Sequence, residues 1–151
     1  MASFVLPTNY AYVALVASGT MWLNFFQMET VSFARKAAGV KYPNYMADNN
    51  LAEKDPKAYK FNCCQRAHAN TLEAMPTFLF ALLYSGLYLP RVSATFGAIW
   101  LVGRFLYTLG YATGDPKKRN TSGGVIHFIG YLGLMLTATY LAGTKTYNLL
   151  F

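Results

Sequence analysis

The sequence predicts an all-α integral membrane protein, a four-helix bundle running up, down, up and down. Three observations predict it. Only 13% of its 151 residues are charged while 54% are hydrophobic, so the charged share is roughly half that of a soluble domain. Four apolar stretches, residues 9–34, 62–89, 92–113 and 122–143, each reach the ~20 helical residues that a hydrocarbon core of ~30 Å demands. None shows the strict alternation of a barrel strand, the only other fold whose backbone is satisfied in lipid. One membrane domain over residues 1–151 follows.

The elements read in order as follows. Pro7 and Thr8 open the first helix, and Arg35-Lys36 sit at its C-terminal end, where cations favour the helix dipole. Its length, and the lack of a basic lead-in, read as a span rather than a cleaved signal. Residues 35–61 read as one polar loop of roughly 25 residues, long enough to be functional. In the second helix Pro76 removes a backbone donor and is expected to bend the chain beside Glu73. Pro90 separates the second and third helices by almost nothing, so they form a tight hairpin. Gly114-Asp115-Pro116 closes the third helix, and Thr121-Ser122 can cap the fourth. Gly97, Gly103, Gly130 and Gly133 are expected to let helices approach closely.

The net charge of +7 is unevenly placed. Arg35, Lys36, Lys41, Lys54, Lys57 and Lys60 lie between the first two helices, and Lys117, Lys118 and Arg119 between the last two. Arg91 and Lys145 alone stand on the other side. Both basic loops therefore face the cytosol. A basic chain also raises nucleic-acid binding, but these charges sit where membrane topology needs them and can meet anionic headgroups. No nucleic-acid partner is expected. Cys63 and Cys64 are adjacent, and with His68 and His127 they make no zinc spacing, so no metal is expected. The bland reading of the cysteine pair is small apolar packing; the sharper one is S-acylation near the membrane surface.

The anomaly is a polar stripe inside an apolar helix. Arg66, Asn70 and Glu73 fall at i, i+4 and i+7 of the second helix and share one face. Glu73 lies ~10 Å deeper than Arg66 at 1.5 Å per residue. A charge near mid-membrane costs ~2.5–3.5 kcal/mol on insertion scales, so this stripe must face a polar cavity or a partner helix. The bland alternative is bundle glue, with Arg66 snorkelling. Arg104, Tyr107 and Tyr111 form a second stripe on the third helix at i, i+3 and i+7, with an aromatic interfacial belt as its bland reading. With Lys117-Lys118-Arg119 these groups outline a positively charged mouth containing Asn, Glu and Tyr. Such a mouth fits a small, multiply anionic, water-soluble ligand, with an apolar ligand arriving from the lipid. Asn24 and Glu29 of the first helix are expected to face the interior.

Three motifs carry a resemblance: Val31-Ser32-Phe33-Ala34-Arg35-Lys36; the segment from Phe61-Asn62-Cys63-Cys64-Gln65-Arg66 through Ala67-His68-Ala69-Asn70-Thr71-Leu72-Glu73; and Gly110-Tyr111-Ala112-Thr113-Gly114-Asp115-Pro116-Lys117-Lys118-Arg119. With these the chain resembles the MAPEG family, membrane-associated proteins in eicosanoid and glutathione metabolism, and within it the microsomal glutathione S-transferase 3 branch. The resemblance implies a homotrimer of four-helix bundles that binds glutathione between neighbouring subunits. It implies Arg66, His68, Asn70, Glu73, Tyr107 and Tyr111 as glutathione contacts. Arg35 is implied to reach a neighbour's ligand, and Lys36 stands where one branch has Arg. The resemblance implies a thiol-activating residue at Arg119 or Lys118, with Arg119 preferred. Ala74 departs from members that carry Tyr there, so one ligand contact is missing.

The implied activity is glutathione transfer to lipophilic electrophiles, reaching to conjugation of the leukotriene-C4-synthase kind, or reduction of lipid hydroperoxides. Glutathione is then the co-substrate and membrane lipid the surroundings. The expected location is the endoplasmic reticulum membrane, with the outer mitochondrial membrane as alternative. The competing reading is a non-catalytic lipid-binding scaffold of the same family, a branch that lacks the second-helix arginine. Arg66 is present here.

Overall fold

The computed structural model describes residues 5–151, so residues 1–4 of the expected domain lie outside the described residues. The described residues are mostly helical, with no strand among them. Four long helices dominate: α1 (Tyr10–Ala38), α3 (Pro56–Gly86), α4 (Pro90–Tyr111) and α6 (His127–Leu150). Between α1 and α3 lies a short helix, α2 (Asn49–Lys54). Between α4 and α6 lie α5 (Lys118–Thr121) and a 3₁₀ turn, Gly124–Ile126.

The helix ends follow local chemistry. α1 begins at Tyr10 without a side-chain cap and runs one turn beyond the expected end. It stops at Gly39, whose φ of 65° lets its N–H turn back to the carbonyls of Arg35 and Lys36. The expected 25-residue loop is much shorter. Asp48 caps α2 by accepting from the Asn50 N–H, and Asp55 caps α3 by accepting from the Lys57 N–H, with Pro56 in the first helical position. Two cap signals thus move the start of α3 six residues earlier than 62. The link 87–89 turns the chain straight back into α4, and the Ser93 hydroxyl donates to the Leu82 carbonyl at 2.6 Å across that turn. α4 ends at Tyr111, two residues short of expectation, and α6 begins at His127 rather than 122. The Thr121-Ser122 cap does not form, because Gly123 at φ 89° reverses the chain first and α6 starts without a side-chain cap.

α3 and α4 occupy the middle. α1 packs on both from one side and α6 on both from the other, and α1 and α6 make no contact with each other among the described residues. The core joins Val13 and Leu23 of α1, Phe78 and Leu82 of α3, Trp100 of α4 and Leu134 of α6. Phe78 and Trp100 are fully buried and stack with ring centroids 3.8 Å apart. A second apolar cluster gathers Val31, Ala34, Ala47, Ala52, Ala58 and Phe61 at the basic end. Gly103 and Gly130 bring α4 and α6 close enough that a Cβ at either would meet backbone of the other helix.

The flanking helices turn large apolar residues outward, including Leu15, Trp22 and Phe25 on α1 and Phe128, Ile129, Leu132 and Leu136 on α6. Pro90–Tyr111 and Gly124–Leu150 are long and apolar enough to cross a membrane. α1 and α3 are longer still, but their apolar runs are broken by Asn24, Gln27 and Glu29, and by Arg66, His68, Asn70 and Glu73. Of the four apolar stretches expected to span, two meet that measure, and the polar residues already marked in the first and second helices interrupt the other two.

The stacked pair sets a stability prediction. Trp100→Ala leaves a void beside Phe78 and should cost on the order of 3 kcal/mol, read as a clear fall in the thermal midpoint of the detergent-solubilised protein. An unchanged midpoint would show that this pair is not a packing centre.

Candidate functional site

The site grows from one contact between the two central helices. Arg104 of α4 is almost completely buried. Its Nη1 donates to Asn70 Oδ1 of α3 at 2.7 Å, and its guanidinium stands 5.1 Å from the Tyr107 ring and 5.6 Å from Trp100. Its Nε has no partner. The charge is thus supported by an amide and two ring faces rather than by a carboxylate. Glu73, one turn beyond Asn70, reaches back to Arg66 at 3.4 Å. Both members of that ion pair are more than half exposed at the side of the chain.

The α5 segment supplies the other wall. The Arg119 Nη1 donates to the Pro116 carbonyl at 2.7 Å, and the guanidinium lies 5.4 Å from the Tyr111 ring. Two glycines set this segment's place. A Cβ on Gly110 would collide with the Lys118 carbonyl, and one on Gly124 with the Arg119 carbonyl. The loop therefore presses backbone to backbone against α4. Tyr107 stands edge-on to Tyr111, with centroids 5.3 Å apart, and to His127 at 5.5 Å. His127 Nδ1 lies 2.6 Å from the Gly124 carbonyl, which can only accept, so Nδ1 carries the proton and Nε2 is left to face its surroundings.

These groups converge on one open cleft of about 430 Å³ lined by Asn70, Glu73, Ala74, Arg104, Tyr107, Arg119, Asn120, His127, Phe128 and Tyr131. It offers two guanidiniums, one carboxylate, phenols and an imidazole. That set can hold an anion, accept an ammonium group, or lower the pKa of an acidic group placed between the arginines.

The structure sorts the expected residues. Asn70, Glu73, Tyr107 and Arg119 line the cleft, and Arg66 stands at its rim through Glu73. Tyr111 lies behind Arg119. Lys118 is exposed and outside the cleft. His68 does not join the site within one chain: its Nε2 lies 2.8 Å from Asn24 Oδ1 of α1. Arg35 is also engaged elsewhere. It donates to the Asn44 carbonyl at 2.7 Å and is flanked by the Tyr42 and Phe61 rings at 4.4 and 4.6 Å. Lys36 is exposed beside it. Sequence reading missed Asn120, His127 and Tyr131, which only the fold of α5 onto α4 and α6 brings to the cleft. It also missed Gln27, whose Nε2 bonds both Thr71 and Thr108, at 2.8 and 2.7 Å. A lone amide in the first helix gave no spacing signal for that link.

The fold and the site define a class: a helical protein with two segments apolar enough to cross a membrane and a polar, mixed-charge cleft walled by α3, α4, α5 and α6. The particular family follows from comparison. Residues 13–140 match the MAPEG family, and the chain belongs to it. Among similar proteins, the Synechocystis sp. protein described as "Uncharacterized protein sll1147" is 30% identical over 112 residues, 74% of each chain. Every cleft residue lies inside the family match.

The Asn70–Arg104 contact should be energetically real. Asn70→Ala strands a buried guanidinium and should destabilise by about 2 kcal/mol, while the Arg104→Met/Asn70→Ala pair should recover part of that loss in a double-mutant cycle. Strict additivity in thermal unfolding would show the two side chains to be uncoupled.

Proposed function

We propose that this protein is a membrane glutathione transferase with glutathione-dependent peroxidase activity, in the microsomal glutathione S-transferase 3 branch, acting as a homotrimer of four-span bundles. The observation that carries this reading is the meeting of Glu73, Asn70, Arg104, Tyr107 and Arg119 on one 430 Å³ cleft. Glutathione brings two carboxylates, one ammonium group and a thiol. Arg66 and Arg104 suit the carboxylates, Glu73 suits the ammonium, and Arg119 suits the sulfur. The lateral exposure of Arg66 and Glu73 supports assembly, since charges bare on a membrane helix need a polar ligand or a neighbour to cover them. In the trimer Arg35, Lys36 and His68 would serve a neighbour's ligand, and Ala74 leaves room where relatives place Tyr.

The chemistry needs the thiolate. A free thiol has a pKa of ~8.5, and lowering it by two units takes ~2.7 kcal/mol. One guanidinium at ~4 Å supplies ~4 kcal/mol at an effective dielectric of ~20, so a single arginine suffices. Arg119 fits this role better than Lys118 because it lines the cleft and is held in place by Pro116 and Tyr111. The thiolate displaces a leaving group from a lipophilic carbon, forming the thioether and releasing the anion. Alternatively it attacks the outer oxygen of a hydroperoxide, giving an alcohol and a sulfenic acid that a second glutathione converts to disulfide and water. Lipophilic substrates would arrive along the apolar outer faces of α1 and α6 of adjoining subunits. The cytosolic side of the endoplasmic reticulum membrane is the proposed setting.

The reading is tested by assaying purified protein with a model aryl halide and with a fatty-acid hydroperoxide. Arg119→Ala should lower turnover at least a hundredfold with glutathione affinity nearly kept, since about 3 kcal/mol of transition-state stabilisation is removed. Arg66→Ala should instead weaken affinity about tenfold or more, the worth of a charge-assisted contact. Ultraviolet difference spectra should show bound thiolate in the parent and none in Arg119→Ala; undiminished thiolate in that variant would refute the assigned role. If the protein ignores glutathione at millimolar supply, the lipid-binding scaffold takes its place.

A further inference from the structure

A second cleft lies at the basic end, its inner half between α1 and α3 and its outer half between α2, α3 and the turn after α4, joined at Lys57 and Lys60, and it shares no residue with the first. Its inner half, about 560 Å³, is walled by Phe33, Ala34 and Ala37 of α1, Cys64 of α3 and Ala112 just past α4. Lys57 and Lys60 border that half and also a polar half of similar size, lined further by Lys54, Glu53 and Thr113. The cleft is therefore amphipathic along its length. Small side chains keep the inner half open, and it runs from the lysines toward Cys64 and Thr30, deeper along both helices.

The two lysines are uncompensated. Both are exposed, and both stand in the opening turns of α3, where the peptide dipole is already positive and no acidic residue occupies the first turn. The Asp55 carboxylate accepts from the Lys57 backbone N–H. Glu53, the one acid lining the cleft, does not pair with either lysine, because the only ion pair among the described residues is Arg66–Glu73. Two ammonium groups at the membrane surface, above an apolar slot, call for a molecule that is anionic at one end and hydrocarbon at the other.

We propose that this cleft binds an anionic phospholipid of the surrounding bilayer. One acyl chain lies in the slot between α1 and α3, and Lys57 and Lys60 hold the phosphate. The site requires only that the chain be embedded in a membrane, so it stands whether or not the first cleft takes glutathione.

The test uses the full chain in nanodiscs made from equal parts phosphatidylserine and phosphatidylcholine. Lipid retained after mild delipidation is identified by native mass spectrometry, and affinity is read by titration with short-chain phosphatidylserine. The parent should retain phosphatidylserine over phosphatidylcholine. Lys57→Ser/Lys60→Ser should weaken it about thirtyfold, the sum expected for two basic side chains at a membrane surface. Ala37→Trp should fill the slot and remove retention with both lysines intact, and Lys145→Ser, near the end of α6, should change nothing. Equal retention of phosphatidylserine by parent and double variant would overturn the proposal. Displacement by inorganic phosphate as effective as by short-chain phosphatidylserine would do the same, reducing the site to an anion patch.

Discussion

The architecture depends on a buried guanidinium with no carboxylate to meet it. Arg104 sits between the two central helices, tied to the Asn70 amide and flanked by Trp100 and Tyr107. A charge in such a place is expensive, and an amide plus ring faces repay only part of the desolvation. The remaining deficit is one that a negative charge placed in the cleft would offset. Had a carboxylate been supplied from within the chain, the same arginine would stabilise the fold and recognise nothing. The one nearby acid, Glu73, is engaged instead at the rim with Arg66.

Around that contact the fold separates two tasks. Stacked Phe78 and Trp100, and the apolar residues around them, hold one half of the helix assembly together by close packing. The other half adds polar links to its apolar cluster: Gln27 with Thr71 and Thr108, His68 with Asn24, and Asn62 with both the N–H and carbonyl of Ala47. In a hydrocarbon setting such bonds align helices that hydrophobic burial alone would leave free to slide. α1 and α3 thereby give up apolar continuity in exchange for register, which explains why they fall short as simple spans while α4 and α6 do not.

Much of this was legible in the sequence, for a definite reason. Charged and amide groups within an apolar helix are costly enough to stand out singly, so Arg66, Asn70 and Glu73 could be found from spacing, while Arg119, in a basic loop, could be found from its resemblance to a family motif. What could not be read was the direction each side chain takes. His68 lies two residues from Arg66 and thus on another face, which α1 covers with Asn24. His127 reaches the cleft only because the loop before it folds onto α4. The polar stretch after α1 was misjudged because Asp48 and the Asp55-Pro56 pair are helix-start signals, and their short reach was outweighed by the surrounding polarity.

Gly110 and Gly124 carry a consequence beyond geometry. Because main chain rests on main chain there, no side chain acts as spacer between α4 and the segment holding Arg119. Lys117, Lys118 and Asn120 project outward from that seam, toward water or toward the mouth. These three residues can therefore be exchanged, retuning the local charge, while the guanidinium keeps its place. Change is tolerated around the arginine, whereas a side chain at either glycine would lift the segment off α4.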